Sequence, residues 1–217
     1  MFRLQNNIVT GVFAVVLLTA TTAYAAETDD VIKLRMGAGN AVTGNNKSEL
    51  CQGCHGERGI SMEEMVPNLA GQYADYIAKQ LRNFQNGVRT HQIMSALAMT
   101  INDAELTDIA TYFASRQKMQ GISTGDNPAG KKLFLKGDPS RKIPACESCH
   151  GVNGKGKAPN ISTYPVIGGQ HKGYLRAQLV NWRSGERSNS PGNIMNLFAK
   201  PLTDAEIEAL ADYLSRL

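Results

Sequence analysis

No segment of this 217-residue chain alternates apolar with polar residues as a half-buried β-strand would. The fold is therefore expected to be nearly all helical, and a thioredoxin-like α/β arrangement has no pattern to build on. Aromatic residues make up 6% of the composition and no basic run is interleaved with them, so a nucleic-acid binder has no support. Charge of neither sign dominates: 23 Lys plus Arg face 19 Asp plus Glu, a net of +4. Such a balance says little about partners, which only local patches would reveal. The apolar run Ile8 to Ala20 is shorter than the ~20 residues that a membrane-spanning helix needs.

That run has the flanks of a secretory signal. Arg3 is the only charge before Glu27, and Ala23-Tyr24-Ala25 supplies an A-x-A cleavage site. A signal peptide is predicted over residues 1–25. An uncleaved anchor is the alternative, because the uncharged stretch continues through threonines to Ala26. Cleavage removes Arg3 alone and leaves about 192 residues, enough for two small domains. The mature chain then holds 22 basic and 19 acidic residues, a net of +3.

Cysteine is scarce, and none is left over. The four cysteines and two of the four histidines fall into two pentapeptides, Cys51-Gln52-Gly53-Cys54-His55 and Cys146-Glu147-Ser148-Cys149-His150. Each is C-x-x-C-H, the attachment signature of a c-type haem. On a helical turn, positions i, i+3 and i+4 share a face. Two thiols can then add across the two vinyl groups of one porphyrin while the adjacent imidazole reaches its iron. Two disulfides, a redox dithiol or zinc sites would also use cysteine pairs, but none of them requires a histidine after both pairs. Two covalent haems are expected, with His55 and His150 as proximal ligands. Their four propionates would bring the mature protein close to neutrality.

The chain then repeats itself. Pro67-Asn68-Leu69-Ala70-Gly71-Gln72 parallels Pro165-Val166-Ile167-Gly168-Gly169-Gln170. Tyr76, Ile77, Gln80, Leu81 and Phe84 recur at helical spacing before Gly87, as do Tyr174, Leu175, Gln178, Leu179 and Trp182 before Gly185. Each glycine suits the left-handed position after a helix, and Arg89 and Arg187 lie two residues beyond. Each repeat closes with an amphipathic helix. Asn102 and Thr203 are the N-cap candidates, followed three residues later by Glu105 and Glu206. Leu106, Ile109, Ala110 and Phe113 form a core stripe that Ile207, Leu210, Ala211 and Leu214 repeat. The second repeat opens with Ala129 to Phe134. Gly44 to Leu50 is its less legible counterpart, with Ser48 where Phe134 sits. Residues 26–40 have no counterpart and read as an extension or an extra helix. Lys118 to Pro128 reads as a linker. The domains are placed at 26–121 and 122–217.

The occupant of the second axial site decides between electron transfer and small-molecule chemistry. His91 aligns near Gly192 and His171 aligns with Tyr73, so neither histidine can serve both repeats. Methionine can. Met94 stands seven residues before Ile101 and Met195 seven before Leu202, both after an isoleucine, at the start of the closing helices. They are the expected sixth ligands. Met99 and His91 are the alternatives in the first repeat, and gap-filling core methionine is the alternative for both. Met62 and Met65 follow the first haem motif too closely. A soft, neutral thioether favours reduced iron, and two filled axial positions leave none open for peroxide or oxygen.

With these motifs in order in both halves, the chain resembles the di-haem cytochromes c of the cytochrome c4 type over about residues 41 to 217. The resemblance implies two tandem class I cytochrome c domains, all-α, related by a pseudo-twofold axis, with haem propionate edges facing each other across the interface. It implies that the Pro67 and Pro165 carbonyls accept hydrogen bonds from the proximal histidines. Arg89 and Arg187 then become candidates to pair with propionates, solvated surface arginine being the alternative. Tyr73 and His171 are expected near the interface. The implied function is one-electron transfer in the periplasm, from a periplasmic or membrane-bound donor to a terminal oxidase, with no catalysis of its own and peripheral association with the membrane. A cytochrome subunit of a larger oxidoreductase is the second reading. An enzyme such as a sulfur-compound dehydrogenase is the third, and it lacks a spare cysteine.

Overall fold

A computed structural model describes residues 39–121, 125–157 and 164–217. The signal or anchor, and the predicted extension up to residue 38, lie outside the described residues. Among the described residues there is no strand, only an isolated bridge between Asp138 and Ile143. No described helix is long and apolar enough to cross a membrane.

The first half holds α1 (Ala41–Lys47), α2 (Glu49–His55), α3 (Ala74–Gln85), α4 (Gln92–Ala98) and α5 (Asp103–Ala114). The second half holds α6 (Pro128–Lys136), α7 (Glu147–His150), α8 (Lys172–Ser184), α9 (Ile194–Ala199) and α10 (Asp204–Ser215). Both halves belong to one compact body.

In each half the opening helix crosses the closing one at a glycine. A Cβ on Gly44 would lie 2.0 Å from the Asp108 carbonyl, and one on Gly130 would lie 2.1 Å from that of Ala209. Only glycine allows so close an approach of two backbones. This crossing aligns Gly44 with Gly130, and hence Ser48 with Phe134, as the sequence suggested. The closing helices are fixed at their starts by reciprocal capping boxes, Asn102 with Glu105 and Thr203 with Glu206. Their stripes form the cores. Leu106, Ile109, Ala110 and Phe113 pack with Ile77, Leu81 and Phe84, and Ile207, Leu210, Ala211 and Leu214 pack with Leu175 and Trp182.

The segment read as a linker begins as core. Met119 is buried with Tyr73 and Val166, its N–H donates to Ala70 O, and the Gly121 N–H donates to Leu217 O. Lys155 clamps this junction. Its ammonium donates to the carbonyls of Met119 (2.6 Å), Gly168 (2.9 Å) and Leu217 (3.1 Å), which satisfies all three of its donors.

Candidate cofactor sites and the seam between them

Helix α2 carries Cys51, Cys54 and His55 on its last turn. Cys146 caps α7, which carries Cys149 and His150. Each short helix stops at a glycine with positive φ, Gly56 at +81° and Gly151 at +75°. A side chain on either would collide with a carbonyl, that of Ile60 or Gly156. The chain therefore turns away immediately after each histidine and leaves the thiol face open. All four cysteines are free, so the disulfide alternative is not formed. Among the described residues no three His, Cys, Asp or Glu side chains gather as a zinc site would require.

Both histidines are buried, and each donates from Nδ1 to a proline carbonyl: His55 to Pro67 at 2.7 Å and His150 to Pro165 at 2.9 Å. A carbonyl can only accept, so the proton is on Nδ1 and the lone pair on Nε2. Burial outweighs the proline bond and lowers both imidazole pKa values, which keeps them in the neutral, metal-binding form. A cleft opens beside Cys51, with Leu50, Leu97, Ile101 and Ile109 forming an apolar wall and Lys47, Thr100 and Glu105 completing its lining. Paired thiols, a neutral imidazole with a free Nε2 and an apolar wall fit a covalent haem.

The methionines stand elsewhere than expected. Met94 lies on α4 and Met195 on α9, short helices of their own rather than the starts of the closing helices. The separation is physical. Asn102 and Thr203 begin new helices with their capping boxes, and Pro201 cannot donate to a continuing one. Met94 and Met195 are half-buried and pack on their respective cores. Their backbone N–H groups are taken by side chains, His91 Nδ1 at 3.3 Å and Ser190 Oγ at 3.1 Å. His91 is exposed and spends its ring on that cap. Met62, Met65 and Met99 are also exposed, at 94%, 62% and 68%.

The halves meet along a seam whose glutamine and arginine contacts obey a twofold relation, with a constant offset of 98. Gln72 Nε2 donates to Val166 O (2.8 Å) and its Oε1 accepts from Val166 N (3.0 Å). Gln170 does the same to Asn68, at 2.9 and 2.8 Å. Arg89 reaches Tyr174 and Gln178 of the other half, and Arg187 reaches Tyr76 and Gln80. Each guanidinium also bonds the glutamine of its own half and stacks on its own aromatic ring, Phe84 at 4.8 Å and Trp182 at 4.4 Å. Arg187 is buried and Arg89 half-buried, so the solvated-surface alternative does not describe them. Neither forms an ion pair among the described residues. Burial opposes ionisation of the Tyr174 phenol, but the charges of Arg89 and Arg187 and their hydrogen bonds outweigh it and lower its pKa. Tyr73 is buried at the seam, and His171 Nε2 donates to Ser61 O across it.

Sequence reasoning did not assign Gln72, Gln170, Tyr76, Tyr174, Gln80 or Gln178 to the site. The signal was present: the tyrosines and Gln80 and Gln178 recur on the same helical stripe as core residues, and Gln72 and Gln170 recur after glycine just before those helices.

Two helical units of one design, each with a cysteine pair, a neutral histidine and a core-facing methionine, define a tandem c-type cytochrome. Comparison agrees. Residues 128–217 match the cytochrome c family model, and residues 39–113 match that of the cytochrome c oxidase cbb3-type subunit III. Cytochrome c4 of Pseudomonas aeruginosa is 37% identical over 85% of this chain and 92% of its own. The thiosulfate dehydrogenase electron acceptor of Thiomonas intermedia is 37% identical over 76% of this chain and 77% of its own. The crystal structure of reduced cytochrome c4 from Pseudomonas stutzeri superposes with a TM-score of 0.78 at 35% identity, covering 83% of this chain and all of that one. The chain belongs to the cytochrome c4 family. It is an electron-transfer protein with two covalent c-type haems.

Proposed function

We propose that the protein carries single electrons in the periplasm between a donor redox protein and a terminal oxidase, without catalysing a reaction itself. The observation that carries this reading is the twofold seam, which brings two equivalent cofactor sites of one chain together. When bound, each haem supplies an iron that gains and loses one electron. Cys51 and Cys54, and Cys146 and Cys149, hold the two macrocycles by thioether bonds. His55 and His150 present Nε2 to the irons, and the Pro67 and Pro165 carbonyls fix their tautomer and raise their basicity. Met94 and Met195 would offer thioether sulfur to the irons. His55 and His150 are buried, so little solvent would reorganise around them when the charge changes.

Arg89 and Arg187 are assigned to propionates. Two guanidiniums drawn to a seam with no carboxylate partner among the described residues leave buried positive charge that an anion must offset. Propionates at the facing edges meet that need with charge-assisted hydrogen bonds.

A second reading places the protein as the cytochrome component of an oxidoreductase. It is favoured by the likeness to the Thiomonas intermedia thiosulfate dehydrogenase electron acceptor. Rapid mixing of the reduced protein separates the two. A carrier is oxidised quickly by membranes that contain its oxidase and shows a weak, salt-dependent contact. A dedicated subunit copurifies with its enzyme through a large apolar interface.

A further inference from the structure

Pro67 C=O and Asn68 N–H belong to one peptide group. Its carbonyl accepts from His55 Nδ1, and its N–H donates to Gln170 Oε1 of the other half. Pro165 C=O and Val166 N–H form the matching peptide between His150 and Gln72. Each histidine is therefore one peptide away from a glutamine that belongs to the opposite half. The direction of each glutamine amide is fixed by its partners. Oε1 of Gln170 also accepts from His171 N at 3.0 Å while Nε2 donates to Asn68 O. Oε1 of Gln72 accepts from Tyr73 N at 3.1 Å while Nε2 donates to Val166 O. A flipped amide would set NH2 against two N–H groups. Gln72, Gln170, Asn68 and Val166 are all buried, so water does not compete for the peptide.

We propose that Gln72 and Gln170 are positioning residues that tune the axial histidine of the opposite half. An acceptor on the N–H side of a peptide polarises it, and its carbonyl becomes a stronger acceptor. The Nδ1–H bond tightens and Nε2 donates more strongly to the iron, which favours the oxidised state. Gln170 thus lowers the potential of the haem on His55, and Gln72 that of the haem on His150. The two sites are linked by hydrogen bonds that cross the seam twice. This rests on the assignment of His55 and His150 as iron ligands.

The test uses the full-length holoprotein, labelled with ¹⁵N, by NMR of the histidine ring N–H groups alongside a redox titration. Gln170→Met keeps volume and removes the acceptor. It should weaken the His55 Nδ1–H bond, shifting its resonance upfield, and raise the potential of the first-half haem, with His150 and its haem unmoved. Gln72→Met should do the reverse, and it stands as the test if the other variant fails to fold. The proposal is overturned if a methionine variant leaves the opposite histidine and potential unchanged, or if it moves its own half as far. Hyperfine shifts of the two rings in the oxidised protein separate this from the ligand assignment. Rings without hyperfine shifts defeat the assignment itself, whereas shifted rings that ignore the glutamines defeat only the relay.

Discussion

The two halves share their glutamine and arginine contacts at the seam and diverge in how their opening helices meet the cysteines. In the first half, α1 runs almost directly into α2 through Ser48, which is fully buried. Its hydroxyl donates to Asn45 O and accepts from Gln52 Nε2 at 2.7 Å. In the second half, Phe134 fills the same place and packs on Tyr213 at 5.7 Å. Residues 137–145 are then inserted before the cysteines, pinned by Arg141 to Asp138 and Glu206. One half plugs its outer core with a polar contact and the other with a ring. The haem motif tolerates either. At the seam the glutamine and arginine bonds are kept in both halves, whereas contacts such as those of Asn189 with Gln80 and Asn83 occur once.

The sharpest way to break the equivalence is at the two methionines proposed as axial ligands. Met94→His should lower the potential of one haem strongly and Met195→His that of the other, because imidazole lacks the thioether's preference for reduced iron. Spectroelectrochemistry of each variant checks this. A substitution that moves neither wave removes that methionine from the iron.

The outer cores should differ in stability. Phe134→Ala removes a buried ring and should cost about 3–5 kcal/mol. Ser48→Ala loses a hydroxyl with two partners and should cost about 1 kcal/mol. Denaturant unfolding of the two variants under the same conditions gives the contrast. Equal losses would mean that the halves are packed alike after all.

Substitution at the seam should fall between these. Arg187→Gln leaves Tyr76 OH and the Asn189 and glutamine side chains with fewer partners and should cost about 1–3 kcal/mol. It also removes a positive charge that we propose pairs with the propionates, so both potentials should fall. Arg187→Lys should not restore the wild-type values, because one ammonium cannot reach the same set of acceptors in a planar fork.

The smallest effect is confined to the second half. Hydrogen bonds from Ser140 and Arg141 hold Asp138 at about 2, and that from Arg141 holds Glu206 at about 2. A depressed folded-state pKa adds stability above the unfolded carboxyl range near pH 4, and that stability is lost as pH falls towards 2. Both groups are solvent-screened, so the contribution is modest. Glu206→Gln should flatten the stability–pH curve between about 4.5 and 2. An unchanged slope would show the pair to be inert.

The haem motifs, the helix stripes and the capping residues were legible because each is written in local spacing, and the opening helix of the first half was less so, with Ser48 where Phe134 sits. The seam was not. Repetition tells which residues correspond, not which ones touch, and Gln72 and Gln170 bind backbone of the opposite half, where Asn68 and Val166 share no side-chain chemistry. Met119 was hidden for a similar reason. It lies among the Gly, Ser, Asn and Pro of a linker, and only the docking of the halves makes it core. The helices carrying Met94 and Met195 were too short for a periodic signal and blurred into the closing helices.

The central claim is that two equivalent haem sites of one chain, each closed by a methionine, meet across the seam. A redox titration of the intact protein, followed optically, tests it most directly. The account predicts two electrons per chain, a red methionine–iron band that accounts for both haems, and a second wave displaced from the first by their proximity. Unit charges ~15–20 Å apart at an effective dielectric of ~20 interact by about 1 kcal/mol, or several tens of millivolts. A single electron per chain, or a haem that titrates without the methionine band, would contradict it.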